Sequence, residues 1–392
     1  RRGLSRVKGL IKYWLSSKGI FFENFGFTYL GPYDGHDIIG LEEGFKIAKS
    51  IQQPTLIHVI TTKGKGVLHA EDDPEKYHGI APAGNKKLKS FTNIFGEHLL
   101  KLAQKNEKIT AITAAMCTGT GLEKFREKLP DRFFDVSIAE QHGLTFAAGQ
   151  AIAGFHPVIA IYSTFMQRGV DQVIHDICMQ NLPVTMILDR AGLVGEDGET
   201  HHGVFDINLF GNIPNLTFME PKDGNELQDM LDYAVHFNGP VMIRFTKGNS
   251  YMEKDDQIQP IELGRMEYIN KSEDNKIGII SLGNEFIAAQ YIKEYLEIKG
   301  VKVDLINSRF ITPLNQDMLA SLEKYEKIFT IENHVVLGGF GSLLKSQLQK
   351  PRVYCYGLPN EFIEHGSISE LRQDVGFTKE RILSNIEDIL NV

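Results

Sequence analysis

Short apolar runs that alternate with helical segments constrain the fold of this chain more than any other feature. Between residues 88 and 248 the apolar runs include ITAITAAM, PVIAIYSTF and PVTMILD, and helical stretches such as QRGVDQVIHDICMQ lie between them. A continuous apolar run is typical of a strand that is buried on both faces. The alternation therefore predicts an α/β fold in which helices cover both faces of a parallel sheet.

Two polar, turn-rich stretches divide the chain into three segments. The first, HAEDDPEKYHGIAPAGNKK, places a boundary near Gly84, and the second lies at about 248–275. After it, KIGIISLG, NEFIAAQYIKEYLEIKG and VKVDLIN again alternate strand and helix. We therefore expect domains at residues 1–87, 88–250 and 251–392.

The composition is that of an ordinary globular protein, with both signs of charge dispersed along the chain. A net charge of −8 offers no basic surface to nucleic acid or to an anionic membrane. The three cysteines are far apart, which favours a reducing compartment without a disulfide framework. Polar residues and a proline interrupt the most apolar run, residues 146–165, so no transmembrane segment is predicted.

The basic start of the chain allows two interpretations. RRGLSRVKGLIKYWLSSKGIFFENF has no acidic residue before Glu23, a pattern shared with organelle transit peptides. Its apolar residues also fit one face of a surface helix within a longer chain, and this second interpretation is favoured. We expect a cytoplasmic protein or one of a plastid-type organelle, and prefer the cytoplasm.

One junction between a strand and a helix carries an unusual polar group. In FDVSIAEQHGLTFAAGQA, alternating apolar residues predict a short strand, and small and apolar residues at helical spacing follow Glu140. A carboxylate at such a junction is costly unless it has a partner. Glu140 is therefore a candidate site residue.

Three polar clusters follow strands of the predicted sheet, at residues 140–142, 162–168 and 189–203. In open parallel sheets, ligands bind beyond the carboxyl ends of the strands. The recurrence of polar residues at these ends is a signal of function at this edge of the sheet.

Two of these clusters also have a simpler explanation. The glycine-rich stretch LDRAGLVGEDGETHHG suits an anion, yet composition alone favours a solvated surface loop. Phe165 and Arg168 fall on one helix face, but Phe165 fits a core position and Arg168 fits an ion pair with Asp171 or Asp176. The chain contains no HExxH zinc motif, nucleotide P-loop, GxGxxG motif or GxSxG nucleophile motif.

A resemblance to a known family rests on six strings that occur in order along nearly the whole chain: YLGPYDGHD, HVITTKGKG, DVSIAEQHGLTFAAG, AIYSTFMQRGVDQVIHD, LDRAGLVGEDGETHHGVFD and GGFGS. The chain resembles the 1-deoxy-D-xylulose-5-phosphate synthase family of thiamine-diphosphate-dependent, transketolase-like enzymes. The resemblance implies a remnant of the diphosphate-binding domain at 1–87, a pyrimidine-binding domain at 88–250 and a transketolase C-terminal domain at 251–392.

The family's reaction joins the two-carbon fragment of pyruvate, after decarboxylation, to D-glyceraldehyde 3-phosphate. The resemblance thus implies a transferase of isoprenoid and thiamine synthesis that uses thiamine diphosphate and Mg²⁺, and a homodimer. The family's GDG…N motif, which ligates Mg²⁺, is not found, so no metal ligands are expected here and the chain is expected to be a C-terminal portion. A non-catalytic dimerising module, a transketolase or a dehydrogenase β-subunit remain alternatives.

The resemblance also assigns roles to residues of the cofactor site. It implies that Glu140 hydrogen-bonds N1′ of the aminopyrimidine, that Phe165 stacks on this ring and that Arg168 borders the pocket. Lys63 and Val67, in and after KGKG, fall where the family lines the cofactor site, although many relatives have Tyr at the second position.

A second group of residues is implied to act on the substrates. His78 matches a histidine that faces the thiazolium, and His201 is implied to bind the acceptor and pass protons, so that Glu140, His78 and His201 form the catalytic set. Arg190 and Arg244 suit the phosphate of D-glyceraldehyde 3-phosphate because a guanidinium offers forked donors. The implied substrate-binding set is Tyr162, Arg190, Asp197, His201 and Arg244.

Overall fold

The computed structural model describes residues 19–72, 74, 77, 89–250 and 259–392. The chain forms two compact units, Arg1–Gly84 and Asn85–Val392. Within the described ranges, no helix combines the length and the apolar character that crossing a membrane requires.

The first unit contains a parallel strand pair with short helices. Its elements are α1 (Ile20–Asn24), β1 (Thr28–Asp34), α2 (Ile38–Ser50), β2 (Thr55–Ile60) and α3 (Leu68–Asp72). Strands β1 and β2 run parallel, with Thr28 opposite Thr55. Asp37 caps α2 by accepting a hydrogen bond from the Gly40 N–H at 3.1 Å, which fixes where this helix begins.

The second unit begins with the strands and helices of the predicted pyrimidine-binding domain. Its strands are β3 (Ile109–Thr113), β4 (Phe133–Asp135), β5 (His156–Tyr162), β6 (Thr185–Ala191), β7 (Thr217–Met219) and β8 (Val241–Thr246). Its α-helices are α4 (Phe91–Lys105), α5 (Glu123–Lys128), α6 (Glu140–Ile152), α7 (Ser163–Met166), α8 (Val170–Gln172), α9 (Asp206–Phe210) and α10 (Gly224–His236). Two 3₁₀ turns (Pro130–Arg132 and Gln167–Gly169) and a π-helical turn (Val173–Cys178) complete this half.

The C-terminal half supplies a second sheet. Its strands are β9 (Glu267–Tyr268), β10 (Ile277–Ser281), β11 (Asp304–Asn307), β12 (Phe310–Thr312), β13 (Lys327–Val335) and β14 (Arg352–Leu358). A 3₁₀ turn, Gly283–Glu285, precedes the helices α11 (Phe286–Ile298), α12 (Gln316–Leu322), α13 (Phe340–Gln347), α14 (Ile368–Asp374) and α15 (Lys379–Leu390). The order of this sheet is β14-β13-β10-β11-β9, parallel except for β9.

The first sheet has the order β12-β7-β8-β6-β5-β3-β4. Strands β3 to β8 run parallel in it, and all five residues of β3 are buried. Burial on both faces explains why the apolar runs are continuous rather than alternating. The predicted α/β fold with a parallel sheet is confirmed.

One strand crosses the boundary that the sequence suggested. Strand β12 belongs to the C-terminal half, yet it pairs antiparallel with β7 at the edge of the first sheet, with Phe310 opposite Met219. The buried side chains of Phe245, Phe310 and Phe340 belong to one continuous core. The two halves of this unit are therefore packed together, which the domain prediction did not include.

Candidate active site

Three loops of the second unit meet at the carboxyl edge of the seven-stranded sheet. They follow β4, β5 and β6, and the sheet register places Tyr162, the last residue of β5, opposite Asp189 of β6. The chain therefore brings the three polar clusters of the sequence to one edge, as expected for parallel strands.

A tight turn between β4 and α6 fixes the position of Glu140. Ser137 adopts a φ of 58° in this turn. One oxygen of Asp135 accepts hydrogen bonds from the backbone N–H groups of Ser137 at 2.9 Å and Ala115 at 2.8 Å. The helix then begins at Glu140, whose side chain is 2% exposed. A carboxylate in the first turn of a helix is stabilised by the partial positive charge there.

Arg168 is the partner of Glu140 in this structure. Its Nη1 donates to Glu140 Oε1, so the buried carboxylate has a counter-charge. The simpler alternative, an ion pair of Arg168 with Asp171 or Asp176, is not formed, because the guanidinium pairs with Glu140 instead. Asp171 lies 2.9 Å from His175, and Asp176 accepts from the Thr145 hydroxyl.

Tyr162, Phe165 and His201 form an aromatic cluster beside this ion pair. The rings of Tyr162 and Phe165 stack with centroids 5.7 Å apart, and the His201 ring lies edge-on to Phe165 with its centroid 5.3 Å from that of Phe165. The Arg168 guanidinium carbon is 4.9 Å from the centroid of Phe165, which confirms that these two side chains share a face. Phe165 is only half-buried, so one part of its ring remains open to a ligand.

Arg190 joins the cluster from the end of β6. Its guanidinium carbon lies 4.2 Å from the centroid of Tyr162, and its Nη1 donates to the Gly119 carbonyl and to Asp189 at 2.9 Å. Asp189 is fully buried, and this burial raises the pKa of its carboxyl despite the charge of Arg190 and a hydrogen bond from Thr92. Arg190 has a φ of 65°, a conformation that non-glycine residues adopt rarely and often at functional sites.

A second ion pair joins the loop after β6 to the residue that follows β8. Lys247 Nζ lies 2.7 Å from Asp197 Oδ2. Burial alone would raise the pKa of the Asp197 carboxyl, but the hydrogen bond and charge of Lys247, with the charges of His201 and Arg190, hold it below its ordinary value. Lys247 was outside the predicted substrate set. The signal for it was its place three residues after Arg244 in RFTKGN.

Two predicted cofactor-site residues, Lys63 and Val67, belong to the first unit. Lys63 and Val67 are exposed and flank a turn in which Gly64 and Gly66 have φ values of 76° and 94°. Glu71 Oε1 accepts from the Gly66 N–H at 2.8 Å, so this turn is closed by the chain itself. His78 lies outside the described residues.

Among the described side chains, no group of three or more His, Cys, Asp or Glu is arranged to hold a metal ion.

Comparison with known proteins places three family models along the chain. The model described as 1-deoxy-D-xylulose-5-phosphate synthase matches residues 1–61. The models described as transketolase, pyrimidine binding domain, and transketolase, C-terminal domain, match residues 88–252 and 267–382. The 1-deoxy-D-xylulose-5-phosphate synthase of Alkaliphilus oremlandii is 46% identical and covers 97% of this chain. That of Desulforudis audaxviator is 44% identical and covers 98%.

This chain is similar to 1-deoxy-D-xylulose-5-phosphate synthases over nearly its whole length. It spans 63% and 62% of the lengths of these two synthases. A solved chain described as a split gene transketolase, inactive beta4 tetramer, has a TM-score of 0.68 at 25% identity, covering 77% of this chain and 98% of that one. Transketolase from Campylobacter jejuni has a TM-score of 0.68 at 16% identity over 97% of this chain and 70% of its own. The fold is transketolase-like.

Arg244 was predicted to bind the substrate phosphate in a synthase of this family, and the structure corrects this. Its side chain is fully buried on β8. Its Nε donates to Asp206 at 3.0 Å, and its Nη1 pairs with Glu220. Burial would lower the pKa of this guanidinium, but the two carboxylates raise it above its ordinary value. A guanidinium enclosed by two carboxylates and removed from solvent does not face a substrate.

His202 holds the loop of the synthase-family motif, a role that the sequence did not show. Its Nδ1 accepts from the Val194 N–H at 3.1 Å, and its Nε2 lies 3.1 Å from the Glu364 carbonyl. Because the first contact needs an acceptor nitrogen, the second nitrogen carries the proton and donates. His202 thereby ties the two ends of the loop together and to the C-terminal half.

Proposed function

We propose that this chain carries the pyrimidine-binding and C-terminal parts of a 1-deoxy-D-xylulose-5-phosphate synthase. Its reaction is the condensation of pyruvate, with loss of CO₂, and D-glyceraldehyde 3-phosphate, in a cytoplasmic homodimer. The observation that carries the proposal is the buried carboxylate of Glu140 beside the aromatic cluster, with Arg190 and Lys247 at the same sheet edge. The A. oremlandii and D. audaxviator relatives bear the synthase name.

The donor set fits the aminopyrimidine of thiamine diphosphate. Glu140 supplies a buried carboxylate for a ring nitrogen, and Phe165 supplies a half-open aromatic face on which a planar ring can stack. When bound, thiamine diphosphate supplies the thiazolium that accepts the electron pair released by decarboxylation.

Glu140 would hold a proton at the pyrimidine nitrogen. Arg168 and the pyrimidine nitrogen would both bind the Glu140 carboxylate. This role therefore requires that Glu140 give up its ion pair with Arg168 and share a proton with the ring nitrogen. Arg168 is 47% exposed, so it can turn to solvent or to a bound anion at little cost. Arg168 therefore acts as the counter-charge of the resting site.

Arg190 and Lys247 would bind the phosphate of the acceptor aldehyde. Lys247 contacts Asp197 of the loop that carries His201, and Arg190 lies against the Tyr162 ring. Guanidinium and ammonium groups are suited to phosphate oxygens. His201 packs against Phe165 and is placed to move a proton at the acceptor carbonyl, since imidazole exchanges protons near neutral pH. Tyr162 holds Arg190 through its ring face.

The test combines binding and turnover. The 392-residue chain is titrated calorimetrically with thiamine diphosphate and Mg²⁺, then assayed with pyruvate and D-glyceraldehyde 3-phosphate. It is assayed alone and mixed with the separately expressed N-terminal part of the A. oremlandii synthase. Formation of 1-deoxy-D-xylulose 5-phosphate in either sample supports the proposal. Product from a ketose donor instead of pyruvate, or no product in both samples, overturns it.

A second candidate is a subunit that works only with another polypeptide. The solved chain that this protein covers at 98% is described as a split gene transketolase whose beta4 tetramer is inactive. Product only in the mixed sample would favour this candidate. A folded chain that binds no thiamine diphosphate in either sample would instead be a non-catalytic module.

A further inference from the structure

A buried network connects Arg244 to the helix that carries Phe165. Arg244 Nε donates to Asp206 Oδ2 at 3.0 Å, and the Ser163 hydroxyl donates to the same oxygen at 2.9 Å. Ser163 is the first residue of α7. The carboxylate of Asp206 therefore links a fixed strand residue to the start of the site helix.

The same guanidinium reaches the base of the loop that carries His201. Arg244 Nη2 lies 3.3 Å from the Gly203 carbonyl oxygen. Gly203 and Gly192 exchange backbone hydrogen bonds of 2.8 and 2.9 Å, which close the loop 192–203. The Arg244 side chain thus contacts Asp206, which holds the start of α7, and Gly203, which closes the loop 192–203.

The start of α7 and the base of this loop touch each other directly. A Cβ atom built on Gly203 would lie 2.6 Å from Ser163 Oγ and 2.4 Å from the Arg190 carbonyl oxygen. Such close contact transmits a displacement of one segment to the other. Arg244 and Asp206 are both fully buried, so solvent does not screen their attraction.

We propose that Arg244 is a positioning residue for the aromatic cluster. Through Asp206 and Ser163 it sets the start of α7, and through Gly203 it sets the base of the loop 192–203. Phe165 and His201 then meet at one geometry, which the cofactor and the acceptor both require. The inference rests on the proposed function for its ligands, whereas the linkage that it describes is a property of the chain alone.

The test uses Ser163→Ala, Arg244→Lys and the double variant, with Arg309→Lys as the matched control. Arg309 is also buried between two carboxylates, Glu226 and Glu267, away from the site. Hydrogen–deuterium exchange of residues 163–178 and 192–203 is measured in the full chain without ligand. The KM for thiamine diphosphate and kcat are measured in the sample that forms product.

Ser163→Ala is expected to speed exchange in 163–178 about tenfold, with little loss of Tm, because it removes one hydrogen bond. Arg244→Lys is expected to speed exchange in both segments and to raise the KM for thiamine diphosphate more than it lowers kcat. The double variant should show no more than the Arg244→Lys effect on 163–178, since both substitutions break one linkage. Arg309→Lys should lower Tm and leave exchange in both segments unchanged.

Unchanged exchange of 163–178 in Ser163→Ala would overturn the inference, and this variant carries the test even where Arg244→Lys does not fold. Additive increases in the exchange rate of 163–178 in the double variant would also overturn it. So would exchange in the two segments that Arg309→Lys speeds as much as Arg244→Lys does, because this would show a general loss of stability. Because exchange needs no turnover, the inference can hold while the proposed synthase activity fails, and the reverse.

Discussion

Arg168 neutralises the buried carboxylate of Glu140 from a helix that begins after a different strand. The two residues are 28 positions apart, and the pair joins α6 to the turn that follows α7. Glu140 is 2% exposed and Arg168 is 47% exposed, so the carboxylate is fixed and the guanidinium can move. A polar ligand that takes over the carboxylate therefore displaces the arginine rather than the glutamate.

Replacing Glu140 with Gln should remove turnover while keeping the fold. The amide has the shape of the carboxylate but cannot share a proton with a ring nitrogen, so product formation should fall about 10²–10⁴-fold. The half-exposed Arg168 can be solvated, so Tm should change little. Glu127→Gln, an exposed carboxylate on α5, is the control in the same steady-state assay. Near-normal turnover of the Glu140 variant would show that this carboxylate is not the proton-holding group.

Arg190→Met and Lys247→Met should each weaken recognition of the acceptor phosphate. A hydrogen bond to a charged group contributes about 1.5–3 kcal/mol, so the KM for D-glyceraldehyde 3-phosphate should rise by one to two orders of magnitude. The KM for pyruvate should stay nearly constant. Kinetics with D-glyceraldehyde, which lacks the phosphate, provide the control: a loss of the same size with that substrate would mean that neither cation reads the phosphate.

Gly203→Ala should destabilise the chain and disturb the site. The new methyl group would lie 2.4 Å from the Arg190 carbonyl oxygen, and such overpacking costs about 1–3 kcal/mol. The matched control is Gly149→Ala in α6, where the added Cβ meets nothing within 4 Å beyond the local backbone of its own helix and alanine should stabilise the helix by about 0.5–1 kcal/mol. Chemical denaturation measures both; equal stability of the two variants would contradict the close contact.

His156 should make the stability of the fold depend on pH. Burial, with the charge of His236, lowers the pKa of His156 from 6.5 to about 4. The unfolded chain therefore binds more protons between these values, so stability is full above pH 6.5 and falls as pH falls toward 4. At pH 5 the loss should be about 2 kcal/mol.

The His156 contribution is isolated by comparing wild type with His156→Gln. Glutamine keeps a polar contact to the Thr185 hydroxyl, which lies 2.9 Å from His156 Nε2, and does not titrate. The free energy of unfolding, measured from pH 4.5 to 7.5 in urea, should fall less steeply with decreasing pH in the variant. Parallel curves for the two proteins would assign the pH dependence to other groups.

The sheet edge that carries the site was predictable because the local sequence pattern indicates that the strands are parallel. Continuous apolar runs separated by helical stretches require parallel strands, and parallel strands bring their carboxyl ends together. Phe165, Arg190 and His201 follow such runs, and Glu140 follows a short alternating strand, so their common edge followed from the sequence. The family motifs then indicated a chemistry for that edge.

Partners of charged side chains were not predictable in the same way. Arg168 has acids at positions 171 and 176, yet it pairs with Glu140. Arg244 resembles a phosphate-binding residue, yet Asp206 and Glu220 enclose it. These ion pairs depend on which helix packs beside which strand. The spacing of residues along the sequence does not show how close two such distant segments lie.

By itself, the sequence determined the α/β alternation, the edge at which polar residues collect and the family that the chain resembles. Only the tertiary structure decided that Arg244 is internal, that His202 ties its loop to residue 364 and that β12 completes the first sheet. The physical reason is the sequence separation over which each interaction acts. Periodicity and turn chemistry act over a few residues, whereas burial and ion pairing are settled only after distant segments have packed.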